Sequence, residues 1–253
     1  MAIKQVPLAD THTDLGARMV EFAGFEMPIR YSSLVEEHMT VREQVGMFDV
    51  SHMGEFLING PDALQLIQKC TCNDANNLSD GQAQYSCLIN DNGGIIDDLL
   101  IYRLKQDQYL AVVNASNIEK DWNWINQQKG ALDVTLDNVS EETCLLAVQG
   151  PLAAKSIQQL TNIDLEAQQY YTFSIATFAG IPNVIISATG YTGSGGFELY
   201  IPANHAAEAW EKIMKSGKPF GLKPIGLGAR DTLRLEKGYC LYGNDINDET
   251  TPL

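Results

Sequence analysis

The sequence predicts an α+β fold of antiparallel sheets covered by helices. Three observations carry that prediction. Between residues 82 and 116 the runs "AQYSCLIN", "IIDDLLIYRL" and "YLAVVNAS" are separated by turn residues, Asp91-Asn92-Gly93-Gly94 and then Lys105 to Gln108, which is the pattern of a β-meander. Amphipathic stretches of helical period flank that meander on both sides. The second half of the chain repeats this mixture of elements without repeating its sequence. With 253 residues, 45% hydrophobic and 19% charged, the chain can bury a full core as one large domain or two smaller ones.

The elements follow in order. "SSLVEEHMTVREQVGMF" reads as a helix from Ser33, whose spacing to Glu36 is that of a capping box. "DVSHMGEFLING" is a strand candidate, and "GPDALQLIQKC" a helix with Pro61 near its first turn. After the meander, "NIEKDWNWINQQKG" is a helix closed by Gly130, with a strand expected at 134–136. Helices and strands in this order suggest a small α+β unit with helices on one sheet face. Beyond it, "CLLAVQG" reads as a strand and "PLAAKSIQQL" as a helix. "TFSIATFAG", "VIISAT" and "GFELYI" are strands, "HAAEAWEKIMKSG" is a helix ending at Gly217, and "GARDTLRLEKG" is a helix ending at Gly238.

Charge and composition exclude several function classes. Seventeen basic against 32 acidic residues give a net charge of −15, which argues against general nucleic-acid binding because phosphate contacts need Lys and Arg. Five scattered cysteines, including Cys70-Thr71-Cys72 without a second pair, do not make a zinc site, and the four histidines lack metal-ligand spacing; no metal is expected. Reduced thiols fit a cytoplasmic protein. The N-terminal stretch reads as neither signal nor transit peptide, and no run of 18 apolar residues is available to span a membrane.

Three constellations carry chemistry. Asp97 and Asp98 stand side by side within an apolar strand, where they must point to opposite faces. A carboxylate among aliphatics is costly unless it is paired, and burial raises its pKa. Periodicity does not choose between a catalytic acid and a solvated or hydrogen-bonded one. "TGYTGSGGFELY" holds four glycines in eight residues, suited to turns or to close backbone approach; no phosphate-loop ending follows it. Glu198 lies just after it, between Phe197 and Leu199. In "GLGARDTLRLEKG", Arg230 and Arg234 are one helical turn apart with Asp231 beside them, equally compatible with a solvated ion-pair face.

Taken together, "GARMVEFAGFEMPIRY", "VREQVGMFDVSHMGEF", "NGGIIDDLLIYR", "VVNASNIEKDWNWI", "AVQGP", "TGYTGSGGFELY" and "GLGARDTLRLEKG" followed by "CLYGNDI" resemble the T-protein of the glycine cleavage system, a tetrahydrofolate-dependent aminomethyltransferase. The resemblance runs in order over essentially the whole chain. It implies two intertwined α/β domains, one discontinuous (1–50 and 139–253) and one inserted (51–138) carrying the Asp97-Asp98 strand. It also implies a third, C-terminal β-barrel on the order of 100 residues, which is expected to be absent here. The implied reaction passes the aminomethyl group from the lipoylated H-protein to tetrahydrofolate with release of ammonia. By position in the motifs, Asp98 is implied to be the essential aspartate, Glu198 the pterin-binding acid and Arg230 the partner of the folate tail. Tyr85, Tyr102, Asn114, Met53 and Tyr191 are implied to line the pocket. Relatives on the same scaffold leave two alternatives open, a folate-dependent demethylase and a non-catalytic folate-binding module. An iron–sulfur accessory protein fits less well, because "KGYCLYGNDI" displaces the cysteine of that group's motif.

Overall fold

The computed structural model describes residues 3–253. In chain order the elements are β1 (Lys4–Gln5), α1 (Ala9–Asp14), β2 (Arg18–Phe22), β3 (Phe25–Arg30), α2 (Leu34–Glu43), β4 (Gly46–Asp49), β5 (Gly54–Asn59), α3 (Ala63–Cys70), β6 (Gln82–Ile89), β7 (Ile95–Lys105), β8 (Gln108–Val113), α4 (Ile118–Lys129), β9 (Thr135–Asn138), β10 (Thr143–Gln149), α5 (Ala153–Ile157), β11 (Phe173–Phe178), β12 (Ile181–Ser187), β13 (Gly196–Pro202), α6 (Ala206–Gly217), β14 (Lys223–Pro224) and α7 (Leu227–Lys237). Among the described residues no helix is long and apolar enough to cross a membrane.

Contacts divide the chain into two compact units, one formed by residues through His52 plus Glu142–Tyr239, the other by Met53–Glu141 plus Cys240–Leu253. The final residues, expected with the outer segments, pack on the second unit. Ile95 N–H donates to the carbonyls of Asn247 and Thr250, and Ile246 packs with Cys87 and Ile95.

The first unit holds a six-stranded sheet in the order β11-β12-β13-β10-β4-β14 and a small sheet β1-β3-β2. Its core gathers Met47, Leu146, Val148, Val184, Ile186, Leu199 and Ile201 from the strands, with Ala153, Ile157, Trp210 and Ile213 from α5 and α6. The helix expected over 151–160 is shorter: α5 gives way to a 3₁₀ turn, Gln158–Leu160, before Thr161 becomes extended. Ser33 caps α2 as expected, accepting from Glu36 N at 3.2 Å, but the Glu36 carboxylate turns to Lys223 Nζ at 2.9 Å instead of closing the box.

A buried Glu37 positions α7. Its carboxylate accepts the backbone N–H groups of Tyr31 and Ser32, both at 2.6 Å, and that of Gly226 at 2.8 Å, the residue before the helix. Gly226 itself lies so close to the Ile29 backbone that a Cβ would sit 2.4 Å from it. Glycine is required there because the helix start presses on β3.

The second unit holds the five-stranded sheet β6-β7-β8-β5-β9, the anticipated meander with β5 added beside β8. Its helices α3 and α4 cover one face, burying Leu66, Ile67 and Ile125 against Phe56, Ile58, Leu99, Ile101, Ala111 and Val113. The helix expected to run through Phe48 ends at Glu43; Gly46–Asp49 is the strand β4 instead, and the strand expected over 49–60 begins only at Gly54, as β5. A turn at 51–53 separates β4 from β5, which enter different sheets. Local patterning did not show this, because Met47 and Phe48 continue the apolar spacing of the helix.

Candidate active site

In β7 the two acids take opposite faces, as pleating dictates. Asp97 points with Leu99 and Ile101 toward the helix-covered core and is fully buried. Its carboxylate is held by Asn114 N at 2.9 Å, Asn114 Nδ2 at 2.9 Å and Asn117 Nδ2 at 2.7 Å. Asp98 points the other way. Tyr85 Oη donates to its Oδ2 at 3.0 Å, and Asn114 Nδ2 donates to its Oδ1 at 2.8 Å. The Asn114 amide therefore serves both acids.

Strand register explains this meeting. Cys87 lies opposite Asp98 and Tyr85 opposite Leu100. Leu100 lies opposite Val112, so Asn114, two residues on, stands across from Asp98. Directly opposed residues share a face. Tyr85, Asp98, Tyr102, Asn114 and Glu55 thus stand on one face of the sheet, and the β5–β8 register carried on from Gly54 opposite Val113 brings in Met53. Tyr85 is 43% exposed, Met53 and Asp98 are half-buried, and Tyr102 is fully buried. Burial, and then the charge of Asp97, push the Asp98 carboxyl up to about 6, against the donors Tyr85 and Asn114.

In the first unit Glu198 lies on β13, opposite Ser187 and Ala147. The Thr189 hydroxyl donates to Glu198 Oε2 and lies 2.9 Å from Ser187 Oγ. Burial raises the Glu198 pKa, while the Thr189 hydrogen bond and the nearby Arg230 charge oppose that rise. The Arg230 guanidinium, on α7, stands 4.4 Å above the Tyr191 ring, and Tyr191 stacks on Tyr239 with centroids 5.8 Å apart and planes at 22°. A cation over an aromatic stack beside a half-buried carboxylate suits a flat, polar heterocycle with an anionic substituent.

The glycine-rich loop joining β12 to β13 is pinned from two sides. Thr192 Oγ1 donates to Gln149 Oε1 at 3.0 Å, while Arg42 Nη1 donates to the Thr192 carbonyl at 2.5 Å. Gly196 has φ +131° and lies where a Cβ would meet the Val148 carbonyl at 2.3 Å. The loop is thus an eight-residue hairpin connection held by side-chain hydrogen bonds.

Sequence reasoning did not single out Glu55, Asp121 or Tyr239. Glu55 is buried with neither carboxyl oxygen hydrogen-bonded among the described residues, and burial raises its pKa well above the usual carboxylate range. Glu55 alternates with apolar neighbours in a strand, a signal that was available in the sequence. Burial, first, and then the Arg230 charge bring His52 down to about 3, so its imidazole is neutral. Among the described residues no group of three or more His, Cys, Asp or Glu is placed to hold a metal ion.

Comparison with known proteins places this chain and its fold in a class. The family model described as the GCVT N-terminal domain matches residues 8–253. The chain is 59% identical over 251 residues to an aminomethyltransferase of Flavobacterium psychrophilum, covering 99% of this chain and 69% of that relative. It is 51% identical to the aminomethyltransferase of Halothermothrix orenii, of which it covers 70%. Among solved structures, the glycine cleavage system aminomethyltransferase T of Bartonella henselae matches with a TM-score of 0.90 at 34% identity, over 99% of this chain and 67% of that one. A heterotetrameric sarcosine oxidase of Corynebacterium shares the fold alone, at TM-score 0.56 and 13% identity, over 74% of this chain and 92% of that one. Fold and relatives define an enzyme of the aminomethyltransferase class. The chain belongs to the glycine cleavage T-protein family.

Proposed function

We propose that the enzyme passes the aminomethyl group carried on the lipoyl arm of H-protein to tetrahydrofolate, releasing ammonia and forming 5,10-methylenetetrahydrofolate, with Asp98 as the catalytic carboxylate. The observation that carries this reading is the Asp98 carboxyl. It is half-buried, oriented by Tyr85 and Asn114, and raised to about 6, so it is ionised at neutral pH yet close to its proton. Attack by a folate nitrogen on an iminium-like carbon develops positive charge and releases a proton. An ionised, oriented carboxylate stabilises the first and accepts the second.

Glu198 supplies the acceptor pair for the pterin edge, whose N3–H and 2-amino group present adjacent donors. Arg230 supplies the fork of donors for the carboxylates of the p-aminobenzoylglutamate tail, giving an acidic protein a local cation for an anionic ligand. Tyr191, itself stacked on Tyr239, lies under the guanidinium. Tyr85 and Asn114 orient Asp98, and Met53 and Tyr102 share its face of the sheet. Because the two reactants arrive on different carriers, alignment contributes as much as proton transfer.

The test is Asp98→Asn, measured by ammonia release from aminomethylated H-protein with tetrahydrofolate and, separately, by calorimetry with tetrahydrofolate alone. Transfer should fall about a thousandfold while folate binding survives. Turnover at the wild-type rate would refute the role.

A further inference from the structure

One buried acid has no part in the chemistry above. Asp121 lies in the first turn of α4, fully buried, and no hydrogen-bond donor among the described residues reaches either of its carboxyl oxygens. What it meets is the carboxyl of Asp97. Asp97 is already supplied with donors, three hydrogen bonds from Asn114 and Asn117. Two ionised carboxylates in contact, one without a donor, would be left uncompensated in the core. A neutral carboxylic acid, in contrast, owns a hydroxyl to donate, and Asp97 is the acceptor at hand.

We infer that Asp121 is a positioning residue that keeps its proton and hydrogen-bonds through it to Asp97, so that the two core acids hold one negative charge between them behind Asp98. Burial and then the Asp97 charge push Asp121 up to about 10, in agreement with that state. Three other groups face the pair. Asp98 approaches from β7, Lys120 from α4 and Tyr242 from the C-terminal segment, with Lys120 Nζ 2.8 Å from Tyr242 Oη, and Asp248 stands behind these two, 3.7 Å from Lys120 Nζ and 2.9 Å from Tyr242 Oη. Lys120 is the only cation among them, so a second charge on the pair would be poorly offset.

The consequence reaches Asp98 through Asn114. That amide contacts Asp97 Oδ1 at 2.9 Å and Asp98 Oδ1 at 2.8 Å. A hydroxyl from Asp121 satisfies Asp97 from behind and leaves Asn114 shared. One charge, instead of two, then opposes the ionisation of Asp98. The link to turnover rests on the reading of Asp98 as the catalytic carboxylate; the protonation state of Asp121 does not.

The experiment is carbon-13 NMR of the full chain labelled at the aspartate carboxyls, titrated from acid to alkaline pH in wild type, Asp121→Asn and Asp98→Asn, the last assigning the Asp98 signal. One carboxyl should stay protonated beyond neutral pH and vanish in Asp121→Asn, while the Asp98 midpoint stays in place. If Asp121 is ionised, Asp121→Asn removes a like charge and the Asp98 midpoint falls by about one unit or more, which overturns the inference. Turnover gives a second readout. Asp121→Leu removes the donor and should lower kcat about tenfold to a hundredfold with little change in KM for tetrahydrofolate, and Asp121→Asn, whose amide still donates, should rescue it. Equal losses in both variants overturn the donor role. Failure of the Asp98 reading shows separately, as Asp98→Asn turnover at the wild-type rate, and leaves the titrations unchanged.

Discussion

Replacing Asp98 by Asn should make the protein more stable at neutral pH while it destroys activity, and the gain has a calculable size. In the folded protein the Asp98 carboxyl holds its proton to about pH 6, raised from 3.8 by burial and then by Asp97. In the unfolded chain an aspartate releases that proton near pH 4. Between those values the folded chain binds more protons than the unfolded chain, so stability falls as pH rises and then levels off above about pH 6. A shift of about two units corresponds to about 3 kcal/mol at most, since each unit is worth about 1.4 kcal/mol and water reaches the half-exposed edge of the group. An Asn at this site keeps its partners. Its carbonyl oxygen accepts from Asn114 Nδ2, and its amide donates to the Tyr85 oxygen. Urea unfolding of wild type and Asp98→Asn at pH 4 and pH 7.5 measures the effect. The stability difference in favour of Asn should grow by about 2 to 3 kcal/mol between the two pH values. A difference that is the same at both would show that Asp98 titrates normally, and the account of its environment would fall.

Three further outcomes follow from the geometry. Glu198→Gln should weaken tetrahydrofolate binding by about 1.5–3 kcal/mol, the worth of a hydrogen bond to a charged group, as read by calorimetry. An unchanged affinity would remove Glu198 from the pterin. Arg230→Lys loses the planar stack on Tyr191 and should weaken folate about tenfold at unchanged kcat; a steady-state KM unaffected by the change would refute that role. Gly196→Ala places a Cβ at 2.3 Å from the Val148 carbonyl at φ +131° and should cost about 3 kcal/mol or more, visible as a lower melting temperature.

The meander, the α4 helix with its Gly130 stop and the α7 helix with its Gly238 stop are legible in the sequence because they rest on local rules. These are alternation along a strand, helical period and glycine at positive φ. The short N-terminal elements β1, α1, β2 and β3 carry no such periodicity, since β1 has two residues and α1 six. The strand β4 was equally silent. Its residues Gly46, Met47 and Phe48 read as the end of the preceding helix, and only pairing with β10 makes them a strand. Glu55 could have been noticed as an acid in an apolar strand, whereas Asp121 looked like any polar residue of a surface helix.

For the two acids of β7, the sequence by itself determined that they face opposite ways, because a strand allows nothing else. It also placed an acid at 198 and an arginine at 230 in motifs of a single family. Only the tertiary structure decided that Asp97 is the core acid, because register brings Asn114 to it and the helix carrying Asp121, with Asn117 just before it, closes over that face. The same register sets Tyr85 and Asn114 on Asp98. Which donors reach a carboxylate depends on residues far away in the chain, and those distances are fixed by strand pairing and helix packing, not by local spacing.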